Sequence, residues 1–436
     1  MIVRGGRRAR FASLGWTKPA TLVLSLLALA SCGKKAPNET TDGGVSAQSA
    51  SPPVAVNAAP SPPPQTDSGI GVRLSTTSWN IAGGNLDADI ADRTRRAKPD
   101  SENRLHLVEL LLARAQYLAS VEDYERADEL AAKMVAEDPK SHHAHFGRAL
   151  AHAALHRFDA ALKALDEAAK LGAPAERVAS SRASILIALG RYDEAEKLTP
   201  PVTDKGSPVA LISAAVLAGR MQKHDESDRL FETARSRIVD VSPFLVAWMD
   251  FERGSLLEER GKEMQARAYH AEAVEKIPVY VHAAVHLATT DPPDQAIARL
   301  EELKKTSSDA DILAALADAY GRVKNETEAK RVTDLARARY NALVAKHPEA
   351  YGDHAARFWL RAGNDPKKAL ELAEKNAQLR ATEETIDLWM AAAAAAGRKE
   401  QICASAAAMK KLRWASEQRK RLAAAALNAC PDAAAD

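Results

Sequence analysis

Aromatic side chains are scarce, at 5% of 436 residues. A β-sandwich or barrel draws on large rings for its core, whereas alanine runs such as residues 391–396 suit helices packed closely through small side chains. An excess of one charge is lacking too: 60 Lys and Arg stand against 58 Asp and Glu, a formal +2. Nothing in that balance directs the chain to nucleic acid. Catalytic signatures are missing: there is no Gly-rich phosphate loop, no H-E-x-x-H and no G-x-S-x-G. Acidic pairs such as Asp193 and Glu194 fall at the solvated starts of helices, poor positions for paired acid–base work. The expectation is a protein that is not an enzyme, with no cofactor and no small-molecule substrate. Its length allows two or three ordinary domains or one long repeat array.

What is present begins with a basic amino terminus. Arg4, Arg7, Arg8, Arg10 and Lys18 precede an uncharged, mostly apolar run over residues 21–30, with no acidic residue before it. That is the layout of a secretory signal, too short to span a bilayer as a permanent helix. Leu29, Ala30, Ser31 and Cys32 follow, with Gly33 after them. This stretch resembles the lipobox of bacterial lipoproteins, in which Leu29, Ala30 and Ser31 would be read by the signal peptidase. The resemblance implies that the Cys32 sulfur receives a diacylglyceryl group and that the new amino terminus is usually acylated. Two or three chains anchor stably where one is marginal. Alternatives are a plain cleaved signal with an incidental cysteine, and a twin-arginine route through Arg7 and Arg8, although Arg10 stands where an apolar residue is expected. Removing the five cations of residues 1–31 from +2 leaves the mature chain near −3.

Residues 32–69 form the next segment, poor in bulky apolar residues and rich in Pro, Ser and Ala. Such a composition cannot bury enough surface to fold, so it reads as a lipidated, disordered tether of on the order of 35 Å. Residues 70–103 read as a linker or a partial amino-terminal capping repeat, with weak helical periodicity in NLDADIADRTRRA.

A period then sets in. DYERADEL, RFDAALKAL and RYDEAEKL place Ala127, Ala161 and Ala195 at steps of 34, each with an aromatic three positions earlier: Tyr124, Phe158 and Tyr192. Upstream in each unit lies another small residue, Ala115, Ala149 or Ala183, while Pro139 and Pro174 mark unit ends. The pattern resembles tetratricopeptide repeats, specifically over residues 104–200 and in degenerate form over 201–415. The later copies hold Phe231 and Ala234; Gly254, Ala266 and Pro278; Ala296; Ala317, Tyr320 and Ala329; Trp359, Gly363 and Ala369; and Gly397. Residues 416–436 read as a capping helix and tail. The resemblance implies an all-α, right-handed α-solenoid whose concave surface, lined mainly by first helices, receives an extended peptide or partner helix. On that alignment Glu109, Gln116, His143, Arg177 and Ser184 point into the groove.

Three other features compete for a role. His142, His145, His152 and His156 fall on one helical face at steps of three, seven and four. They read as inter-helix packing residues, as a weaker metal-binding stripe, or as a pH-sensitive interface. Cys403 and Cys430 sit on the last two helices and read either as a disulfide or as two buried thiols, since counting from a turn near Arg413 leaves them one helical turn out of step. The basic run 410–421 reads as a solvated cap face, or as a contact for an acidic partner or lipid head groups. Together these readings give an exported, lipid-anchored envelope scaffold facing the periplasm or cell surface. Gly33 after the cysteine favours the outer membrane by resemblance. The partner is a protein or peptide of the cell envelope, and the alternative is a metal-binding envelope protein that uses the histidine stripe.

Overall fold

The computed structural model describes residues 73–96, 101–199 and 206–430. The signal segment, Cys32 with Leu29, Ala30 and Ser31, and the tether lie outside the described residues. The described residues are helical throughout, and no helix among them is long and apolar enough to cross a membrane.

Among the described residues, twenty helices follow one another. A single helix, α1 (Trp79–Arg95), precedes nine hairpins and a last helix. Hairpins 1–3 are α2 (Ser101–Leu118) with α3 (Val121–Glu137), α4 (His142–Ala154) with α5 (Phe158–Lys170), and α6 (Ala175–Ala188) with α7 (Tyr192–Leu198). Hairpins 4–6 are α8 (Pro208–Arg220) with α9 (His224–Arg237), α10 (Pro243–Glu259) with α11 (Glu263–Lys276), and α12 (Val281–Thr290) with α13 (Pro293–Leu303). Hairpins 7–9 are α14 (Ala310–Arg322) with α15 (Glu326–Lys346), α16 (Pro348–Leu360) with α17 (Pro366–Leu379), and α18 (Glu383–Ala395) with α19 (Lys399–Lys411); α20 (Glu417–Leu427) closes the chain. Each helix packs on its successor, and first helices also touch the next first helix, as in α2 on α4 and α12 on α14. The chain is an α-solenoid.

Local chemistry sets the boundaries. Ser120, Ser141, Ser207, Asn325, Asp365 and Ser416 each accept a backbone N–H of the first helical turn. Proline takes the first helical position at Pro208, Pro243, Pro293, Pro348 and Pro366, where its missing N–H costs nothing. Hairpin turns end in left-handed backbone, for example at Ala119, His156 and Gly190. The next N–H, that of Arg157 or Arg191, then bonds back to His152 or Leu186 and satisfies the helix end. The repeat alanines do what their spacing predicts: Ala127, Ala161 and Ala195 are wholly buried, and Phe158 and Tyr192 are buried beside them.

Two large cores result, with smaller clusters between and beside them. Leu86 and Ile90 of α1 join hairpins 1 and 2 and part of α6 in one, and hairpins 4–8 with α18 share the other, while α19 and α20 pack together through Ala406, Met409 and Ala423. Hairpins 3 and 4 meet through one small cluster, in which Ala183 and Leu186 of α6 and Tyr192 and Ala195 of α7 pack with Leu217 and Met221. The first stack instead folds back on the second through its turns. Tyr117 and Ala119 belong to the second core. There the Tyr117 ring lies 5.2 Å from Phe244 and 4.9 Å from Tyr280, and Phe251 lies 5.1 Å from Tyr280. Four of the scarce aromatics meet at this junction, where tilted and edge-on pairs each add about 0.5–1.5 kcal/mol beyond burial.

The other turns follow the same line. His156 is 3.2 Å from the Glu349 carbonyl through Nδ1, His347 is 2.9 Å from Glu125, and a Cβ on Gly190 would stand 2.5 Å from the Ala381 carbonyl. Between Ala119, His156, His282, Asp311 and His354 only about 30 Å³ remains, room for a water or two. The resemblance leads one to expect an open trough along the whole array. In the structure the first-helix side of hairpins 5–9 is covered over much of its length by the chain's own turns.

Cys403 and Cys430 are joined, with Cα atoms 6.0 Å apart. The register objection fails because α19 stops at Lys411, α20 starts only at Glu417, and Cys430 lies beyond the end of α20.

Candidate functional site

One part of the interior stays open. A cavity of about 1240 Å³ lies between the turn of hairpin 3, the ends of α8, α10, α12 and α16, the start of α18, and the connection from α19 into α20. Its walls carry both signs of charge in paired form. Arg220 bonds to Glu259 at 2.9 Å and also to Glu384. Arg260 pairs with Asp228 at 3.0 Å, and Asp387 with Arg419 at 2.8 Å. Burial pushes the Asp387 carboxyl up despite the Arg419 guanidinium. Burial would lower Arg220, but Glu259 and its other anionic neighbours outweigh that and raise it. Across the mouth Trp414 donates its indole N–H to Asp193 at 3.2 Å, with Arg413 also 3.3 Å from Asp193. Glu383 accepts from the N–H and hydroxyl of Ser416, both at 2.7 Å. The basic run 410–421 therefore engages acidic residues of the same chain, Asp193, Glu383 and Asp387, and so closes one end of the cavity.

The five residues expected in a groove lie elsewhere. Glu109 and Gln116 are buried between helices, so they do not face a partner. Glu109 pairs with Arg177, whose guanidinium lies 4.5 Å over the Phe146 ring. His143 is half-buried near the Ser101 hydroxyl, and Ser184 donates to the Ser180 carbonyl one turn back. None of the five lines the cavity. All five stand on first helices, and Arg177 of α6 occupies the space in front of Glu109.

The histidine stripe is not brought together either. His142 packs on His143 at 3.9 Å between ring centroids, and His145 is 2.9 Å from the Pro139 carbonyl. Burial lowers His152 to about 4, with Arg148 adding to the effect. The left-handed backbone at His156, φ 57°, takes its ring off the α4 face and towards Glu349. Among the described residues, the metal-ligating groups that do converge are Glu258, His270 and His286, whose ligand atoms lie within 4.8 Å of one another. Spacings of 12 and 16 residues match no short ligand motif, so the sequence pattern gave no hint of them. Burial alone would raise the Glu258 carboxyl; the fields and hydrogen bonds of His286 and His270 outweigh it and hold it well below the usual range.

No protein-family model matches the chain, and no curated protein matches it. Among solved structures, it is similar to a chain in the crystal structure of the APC/C hetero-tetramer Cut9–Hcn1, with 12% identity and a TM-score of 0.35. That match covers 70% of this chain and 52% of the other, about half its length. It is also similar to the human IFIT1 dimer with PPP-AAAA, at 16% identity and a TM-score of 0.41 over 82% of this chain and 86% of that one. A monomeric IFIT1 mutant with Gppp-AAAA gives 15% identity and a TM-score of 0.41 over 81% and 86%. Likenesses at this level carry nothing about binding or chemistry here, and the architecture stands on the chain's own helices.

Proposed function

We propose that the chain is a lipid-anchored cell-envelope scaffold, not an enzyme, that binds a protein or peptide partner in the open cavity. The cavity itself carries this reading: about 1240 Å³ bounded by seven stretches of chain, with exposed Lys411 and Gln418 and half-buried His224 at its rim. It exceeds the roughly 300–1,000 Å³ of small-molecule pockets and suits a segment of polypeptide. Most of its charges are already paired, so an occupant gains mainly by shape and by polar exchange at the rim. Anchoring at Cys32 through the 32–69 tether would confine partner encounter to the membrane surface and raise its effective concentration. Outer-membrane attachment facing the periplasm or cell surface belongs to the same proposal.

Photoreactive residues at Lys411 and Gln418, with Leu335 on the outward-facing α15 as control, test it in cells. One shared crosslinked protein at the two rim positions and none at Leu335 supports the reading. Equal crosslinking at all three, or none at the rim, rejects it. For the anchor, Cys32→Ala should move the protein from the detergent phase to the aqueous phase and abolish acyl labelling.

A further inference from the structure

Glu258 closes α10, His270 stands mid-way along α11 and His286 mid-way along α12, so three consecutive helices each contribute one group. The two carboxylate oxygens face different rings: Oε1 is 3.2 Å from His270 Nε2, and Oε2 is 2.7 Å from His286 Nδ1. The imidazole centroids are 4.9 Å apart and both rings are buried, whereas Glu258 also lines the large cavity. Packing fixes the rings. A Cβ at Gly254 would fall 2.7 Å from the His270 ring, so a side chain there would displace it. Phe251 stands 5.7 Å from one imidazole and 5.6 Å from the other.

The plainer reading is a buried trio in which His286 hydrogen-bonds the Glu258 carboxylate and the His270 ring packs beside it. More than that is gathered here. Two imidazole nitrogens and a carboxylate are the donor set of three-ligand zinc sites, held by rigid elements and approachable from one side. Zinc bonds of about 2.0–2.2 Å in tetrahedral geometry put ligand atoms roughly 3.3 Å apart. The separations of 3.2 and 2.7 Å are near that spacing, so a small movement of the Glu258 carboxylate makes a seat for the ion. Calcium and magnesium are poor occupants, because they require six or more oxygens.

We propose that Glu258, His270 and His286 bind one divalent transition-metal ion of the zinc class, with a fourth coordination position facing the cavity. Cavity water fills that position until a ligand atom from a cavity occupant replaces it. The assignment stands independently of the partner reading, because loading is measured on the chain alone. It also differs from the His142, His145, His152 and His156 stripe.

The test uses the tag-free full chain, stripped with chelator, titrated with Zn²⁺ by calorimetry and loaded with Co²⁺ for visible absorption. One equivalent is expected, with the intense d–d bands of four- or five-coordinate Co²⁺. Binding should weaken at least tenfold in Glu258→Gln and in His286→Gln, and stay unchanged when His142 and His145 are both replaced by alanine. Absence of stoichiometric binding at micromolar Zn²⁺ overturns the proposal, as does full-strength binding in both folded site variants. Should either variant fail to fold, zinc-edge X-ray absorption of the loaded wild type decides: two imidazoles in the shell support the site, and a shell with fewer overturns it.

Discussion

The Tyr117 hydroxyl donates to the Phe244 backbone carbonyl at 2.9 Å, across 127 residues of sequence. Tyr117 ends the first helix of hairpin 1 and Phe244 begins that of hairpin 5, so this bond fastens one stack of hairpins to the other.

Tyr117→Phe keeps the ring and removes this one hydrogen bond, a loss of about 1 kcal/mol. Tyr117→Ala removes a wholly buried ring and should cost about 3–5 kcal/mol. Denaturant unfolding measures both. In the alanine variant, hydrogen exchange should quicken at the turns of hairpins 1–3 before it does so in hairpins 6 and 7. If both variants unfold within about 0.5 kcal/mol of wild type, the junction does not hold the stacks together.

Two glycines separate backbone strain from docking. Gly172 and Gly190 both have positive φ, 91° and 79°. A Cβ on Gly172 meets nothing within 4 Å, whereas on Gly190 it would meet the Ala381 carbonyl oxygen at 2.5 Å. Alanine at either position carries about 1–2 kcal/mol of left-handed strain; only Gly190→Ala also pries hairpin 3 from the start of α18. Thermal melts should therefore rank Gly190→Ala below Gly172→Ala by several degrees. Equal melting temperatures would contradict the docked geometry.

Stability should peak near neutral pH. Burial lowers His156 to about 3, with Arg380 and His354 adding to it against Asp353 and the Glu349 carbonyl, and burial lowers His282 to about 4, with His354 and His286 adding to it against Asp311. Both histidines fold neutral, so below the ordinary 6.5 the unfolded chain takes up protons that the folded chain refuses. Their contribution is complete above about 6.5 and is lost as pH falls towards 4 and then 3. His354 behaves in the opposite way. Burial opposes its charge, but Asp311 and Asp353 outweigh burial and raise it to about 9. Its contribution is complete below about 6.5 and is lost as pH rises through 9. Urea midpoints from pH 4 to 9.5 should trace a dome, and His354→Gln should flatten the alkaline side. A midpoint that climbs steadily to pH 9 would refute this account.

The disulfide ties α20 to α19 across 27 residues. Loop-closure entropy for that length is worth about 3–4 kcal/mol, confined to the end of the array. Cys403→Ser with Cys430→Ser should expose the region around α20 to limited proteolysis at unchanged protease concentration, while hairpins 1–7 stay resistant. Uniform digestion along the chain would show that the bond steadies more than the cap.

Hairpins were legible because their cause is local. An alanine every 34 residues, an aromatic three before it and a proline between units report on neighbours a turn or a helix away, and Ala127, Ala161 and Ala195 are buried as that pattern requires. The starts of α16 at Pro348 and α20 after Ser416 are equally local. What could not be read was contact at long range. His156 meets Glu349 across 193 residues and leaves no period behind. For the same reason Glu109 and Gln116 read as groove residues: their helical register is visible in sequence, whereas the helices that cover them are not. Glu258, His270 and His286 converge only once α10, α11 and α12 are laid side by side. The sole trace in sequence is Gly254, which reads as an ordinary repeat glycine.

A string of hairpins touching only the next in line comes apart bead by bead, since each bead answers to two neighbours. Here the loop at Ala119 grips the fifth bead, that at His156 the eighth, and that at Gly190 the ninth. The string is laced into a closed bracelet. Loosening one clasp slackens the far side too, and the open interior shares its walls with the clasp at Gly190.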